Sequence, residues 1–82
     1  MNDKTVRDVM LDTVLNQINT NDPPAARETY DRLVFGGRSN SQALQLMGAV
    51  LRVEMERMLK DGTEFDNDRY SAALAKIPDA ED

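Results

Sequence analysis

Glu54 is the residue most at odds with its surroundings, a carboxylate set among Met47, Val50, Leu51 and Met58. Shortly after it, Asp61-Gly62-Thr63-Glu64-Phe65-Asp66-Asn67-Asp68 gathers four acids within eight residues. Oxygen-rich segments of this kind can hold calcium when alternate ligands frame a sixth-position glycine and a twelfth-position glutamate. Counted from Glu64, those places fall on Arg69 and Ala75, and counted from Asp61 the glycine place holds Asp66, so neither register fits. The remaining chemistry of these acids is recognition. Glu54 must be paired, protonated or turned towards a partner, because a lone buried carboxylate is costly. Asp61, Glu64, Asp66 and Asp68 offer an acidic face to a basic partner.

Other chemistries are excluded by residue type. The chain has no cysteine and no histidine. Disulfides, thiolate metal sites, cysteine nucleophiles and the commonest general base are therefore absent. Glu54 and Glu56 lie about 200° apart on a helix and cannot act as a carboxylate pair. Ser39, Ser41 and Ser71 have no base to activate them. Carboxylate-bridged metal sites in bundles draw on a Glu-x-x-His pair, which is missing. No enzyme activity, cofactor or metal is expected.

Charge is unevenly placed. Residues 1–60 hold eight acids and eight bases, whereas residues 61–82 hold seven acids against Arg69 and Lys76, so the net charge of −5 sits in the last quarter. An acidic end disfavours phosphate backbones. With only four aromatic residues, Tyr30, Phe35, Phe65 and Tyr70, a stacking surface for nucleic acid is not expected. No apolar run approaches the roughly 20 residues of a membrane span. Met1 to Met10 carries charges of both signs and no signal-peptide core. A bacterial or phage-type cytoplasmic protein is the expectation.

The elements that must position these residues are helices. At 82 residues the chain is long enough for one domain. The first helix is expected from Lys4 to Asn19, capped by Asn2 or Asp3, with Met10, Leu11, Val14 and Ile18 on one face. The second starts with Asp22 as cap and Pro23 as first helical residue, and ends before Gly36-Gly37. Ser39 and Gln42 form a capping box for a third helix that runs to Lys60 and stops at Gly62. A fourth starts at Asp66 and ends before Pro78, leaving residues 1–3 and 78–82 expected to fray. Opposite charges four apart support the helices at Asp3–Arg7, Lys4–Asp8, Arg27–Asp31, Glu28–Arg32, Arg52–Glu56, Glu56–Lys60 and Arg57–Asp61.

The third helix is the longest and most apolar, its apolar side chains spanning an arc of about 240°, which needs more than one covering neighbour. The expected fold is all-α, a small four-helix domain packed around this central helix, with a dimer across part of the arc as the competing arrangement. Arg7 sits mid-face on the first helix and is a candidate partner for Glu54. Gly48, near the edge of the arc, suggests close approach of another backbone. Met10, Met47, Met55 and Met58 read as core.

The helix–Gly36-Gly37–helix junction also fits a helix-turn-helix, with Arg38, Asn40, Gln42 and Gln45 as DNA contacts in a locally basic stretch, residues 27–52. Three functional readings follow. The leading one is a small protein-interaction or regulatory module, using an apolar helix face flanked by the acids of 61–68 for a protein partner or self-association. The others are a DNA-binding regulator and an acidic inhibitor of a nucleic-acid-handling protein.

The runs Asn21-Asp22-Pro23-Pro24, Arg27-Glu28-Thr29-Tyr30-Asp31-Arg32-Leu33, Gly48-Ala49-Val50-Leu51 and Phe65-Asp66 with Arg69-Tyr70 resemble a group of short, uncharacterised bacterial α-helical proteins over about residues 20–78. That resemblance implies a compact unit in which Tyr30, Phe65 and Tyr70 anchor the last helix, and implies nothing about activity.

Overall fold

A computed structural model describes residues 5–79. They form four helices, α1 (Val6–Thr20), α2 (Pro24–Phe35), α3 (Asn40–Asp61) and α4 (Asn67–Ala75). No helix among the described residues is long and apolar enough to cross a membrane.

The helix starts follow side-chain chemistry, with two corrections. Thr5, rather than Asn2 or Asp3, caps α1: its hydroxyl accepts from Asp8 N, while Asp8 Oδ2 accepts from Thr5 N, each at 3.2 Å. This reciprocal pair satisfies two amides that would otherwise lack partners. The Asp3–Arg7 and Lys4–Asp8 pairs fall outside the described residues. The second helix begins one residue later than expected, with Pro23 as cap (φ −72°, ψ 155°) and Pro24 as the first helical residue. A residue that precedes proline is driven to extended backbone, so Pro24 keeps Pro23 out of the helix. The Ser39–Gln42 capping box of α3 and the Asp66 cap of α4 form as expected.

The first three helices end alike. Asn21 (φ 57°), Gly37 (φ 108°) and Gly62 (φ 67°) take left-handed backbone. The amide that follows each reaches back into the helix, Asp22 to Gln17 at 3.1 Å, Arg38 to Leu33 at 3.1 Å and Thr63 to Met58 at 3.2 Å. Of the glycine pair after α2, therefore, Gly37 makes the turn. Gly36 has another reason to be small: a Cβ there would lie 2.5 Å from the Asp79 carbonyl oxygen.

The four helices pack around α3, which contacts α1, α2 and α4. Ala43, Met47 and Leu51 occupy the buried centre of its apolar arc, facing Val14 of α1, Leu33 of α2 and Leu74 of α4 within one core. Helix α2 also touches all three others, whereas α1 and α4 do not pack on each other. Tyr70 spans that gap. Its ring is fully buried and meets Phe65 edge-on at 5.5 Å, and its hydroxyl donates to Gln17 Oε1 of α1 at 2.7 Å. Tyr30 is half-buried against the core, while Phe35 at the end of α2 is 95% exposed.

The segment after α4 is clamped. Arg32 leaves Glu28 and donates to the carbonyls of Leu74 (3.1 Å) and Ile77 (2.7 Å), and it also pairs with Asp79. Arg38 donates to the Pro78 carbonyl through Nε (3.3 Å) and Nη2 (3.1 Å). Pro78 and Asp79, expected to fray, are thus held by two guanidinium groups whose forked donors suit carbonyl oxygens at a helix end.

Gly48 is buried under α1, yet no backbone crowds it. An added Cβ would meet Leu11 Cδ2 at 3.6 Å and Met10 Cβ at 3.8 Å, both ordinary contacts. Glycine inside a helix costs about 0.5–1 kcal/mol relative to alanine. Gly48→Ala should therefore stabilise the fold by about that amount in urea unfolding, and a loss of stability would show that α1 cannot yield to the methyl group.

Burial raises the Tyr70 phenol from 10.0 to about 12. The folded chain thus holds this proton more tightly than the unfolded chain. The resulting stability is complete below pH 10 and is lost as pH rises from 10 towards 12. Tyr70→Phe should cost about 1 kcal/mol near neutrality through the lost hydrogen bond. It should also reduce the stability lost between pH 10 and 12, measured by urea titration at both ends of that range.

Candidate interaction site

Glu54 lies on the covered side of α3, only 8% exposed, and its carboxylate is paired. Arg69 Nε of α4 approaches Oε1 at 3.3 Å, and Arg57 Nε, one turn along α3, stands 3.9 Å from Oε2. The expected Arg7–Glu54 pair does not form. Arg7 instead lines a groove between α1 and α3 with Met10, Leu11, Gln45, Gly48, Ala49 and Arg52. The reason is chain topology: α4 arrives beside Glu54, and Arg69 enters with it, while Arg7 faces the first half of α3.

Above Glu54 is a cleft of about 230 Å³ lined by Arg57, Met58, Asp61, Thr63, Glu64, Asp66 and Arg69. Three of the four acids expected to act together therefore converge here with Glu54. Asp68 does not line it. It stands exposed in the first turn of α4, where a negative charge suits the helix N-terminus. Four acids face two arginines around the cleft, so its balance is negative. No group of acids among the described residues is arranged to hold a metal ion. The carboxylates that could meet a basic group are those of Asp61, Glu64 and Asp66, since Glu54 is committed to its arginines.

Next to the cleft, Val53, Glu56, Arg57, Lys60 and Asp61 line a second shallow groove on the outer side of α3. Arg57 and Asp61 belong to both. Val53 is 55% exposed there, and Leu59, on the other edge of the apolar arc, is 75% exposed. The arc is thus buried at its centre and bare at both edges. Among the described residues, Arg27–Asp31 closes at 3.2 Å, but Arg52–Glu56, Glu56–Lys60 and Arg57–Asp61 do not pair. Among the described residues, Arg52, Glu56 and Lys60 on the outer side of α3 form no ion pair.

The residues offered for DNA contact are largely engaged within the fold. Arg38 holds the Pro78 carbonyl, Gln42 accepts from Ser39 N at 3.0 Å, and Gln45 donates to Ser41 Oγ at 3.2 Å. Asn40 is exposed at the start of α3. Sequence reasoning placed Val53 and Leu59 at the two edges of the apolar arc but missed Arg69. Arg57 was legible as the residue one turn from Glu54, whereas only docking of α4 brings Arg69 near. Comparison with protein-family models, curated proteins and solved structures finds no match to this chain.

The Glu54 cluster has a measurable signature. Arg69→Ala should destabilise the fold by about 1–3 kcal/mol, since it removes the nearer partner of a buried charge. Glu54→Met combined with Arg69→Ala should recover most of that loss, because no buried charge remains. Equal unfolding midpoints for wild type and Arg69→Ala would show that Arg57 and water suffice.

Proposed function

We propose that the chain is a small cytoplasmic protein-interaction module without catalytic activity, binding through the outer side of α3 and the acidic loop that follows it. The observation that carries this reading is the exposure of Val53 and Leu59 on the most deeply buried helix of the domain. Large aliphatic groups left bare beside charged rims are what interfaces are made from. Val53 adjoins Arg57 and Asp61, and through them the acidic cleft, so apolar and acidic contacts are offered together. A partner with an apolar patch edged by lysine or arginine fits this surface. The basic surface of a nucleic-acid-handling protein is one such partner.

The test is site-specific photo-crosslinking in an extract of the source cell. A crosslinking residue at Val53 or Glu64 should trap the same species, and one at Arg27 on the outer side of α2 should trap none. Equal trapping from all three positions, or none from any, would sink the reading. Trapping of DNA from Arg38 or Gln42 in its place would favour the regulator.

A further inference from the structure

Leu59 and the groove that holds Gly48 lie on the same side of α3. With Met47 at zero, Gly48 falls at about 100° and Leu59 at about 120° around the helix axis. They are separated along the axis by about 16 Å. Leu59 is a bare apolar knob, 75% exposed. The groove of about 230 Å³ between α1 and α3 has an apolar floor of Met10, Leu11, Gly48 and Ala49. A knob and a hole on one side of one helix are what a two-fold axis requires, since each copy then gives its knob to the other's hole.

We infer that α3 docks antiparallel on α3 of a second copy, with Leu59 of each chain seated in the α1–α3 groove of the other. The charges support this occupant independently. The midpoint between Gly48 and Leu59 falls between Val53 and Glu54, within about half a residue of the midpoint between Arg52 and Glu56, counted along the helix. Arg52 and Glu56 are the exposed opposite charges that leave each other unpaired within the chain. In the antiparallel arrangement Arg52 of one copy stands level with Glu56 of the other, twice over.

This inference rests on the proposed reading of the bare edges of α3 as contact surface. It assigns the Leu59 edge to a second copy, while the Val53 edge and the acidic cleft stay open to another partner. Sedimentation equilibrium of the full chain across a concentration series tests it. The wild type should be a dimer that weakens with salt. Leu59→Asp should be monomeric with unchanged helical circular dichroism, since Leu59 takes no part in the core. Arg52→Glu and Glu56→Arg should each weaken association roughly tenfold, and the double exchange should restore it. A wild-type monomer at about 1 mM, far above the concentrations of specific dimers, would overturn the inference. So would dimerisation of Leu59→Asp at wild-type strength, or a double exchange weaker than either single one. A monomer whose Val53 crosslinker still traps another protein would leave the interaction module standing with a different partner.

Discussion

The docking of α4 is the constraint on which the rest depends. A helix of nine residues has too few internal hydrogen bonds to persist alone, so its conformation is borrowed from the surface beneath it. Four interactions hold it. Asp66 caps its start, Tyr70 and Leu74 enter the core, Arg69 reaches Glu54, and Arg32 takes the carbonyls of Leu74 and Ile77 at its end. The Tyr70 hydroxyl also links it to Gln17 of α1. Beyond its own cap, its polar partners are Glu54 of α3, Arg32 of α2 and Gln17 of α1, so α4 closes the domain by tying the other three helices together.

The acidic cleft is a consequence of that closure. Without α4 in place, Glu54 would lack Arg69 and the loop 63–66 would have no fixed course above it. Arg57 and Arg69 also temper the repulsion among Glu54, Asp61, Glu64 and Asp66, which would otherwise oppose a tight turn between α3 and α4. The price of the arrangement is that Glu54 serves structure while its acidic neighbours stay available. A residue whose sequence position suggests recognition thus becomes the floor of the surface rather than its contact.

On the opposite side, α3 is left incomplete. Its apolar arc is wider than three neighbours can cover, and the uncovered edges are Val53 and Leu59. Between them Arg52, Glu56 and Lys60 leave their helical pairings unmade. Surface pairs four apart contribute only a few tenths of a kcal/mol, so leaving them open costs the fold little. The same charges are then available to a partner.

The sequence by itself determined the helices, their caps at Ser39 and Asp66, and their stops at Gly37 and Gly62, because these are decided by neighbours within a turn or two. It also held the signals for Thr5 and for Pro23 as caps, in the aspartate three residues on and in the proline that follows. The clustering of Asp61, Glu64 and Asp66 was legible because they share one short loop. Only the tertiary structure decided the partner of Glu54, the turning of Arg32 away from Glu28, the hold of Arg38 on Pro78, and which edges of α3 stay bare. Those contacts join residues far apart in the chain, and no local spacing encodes the direction from which α1 and α4 arrive.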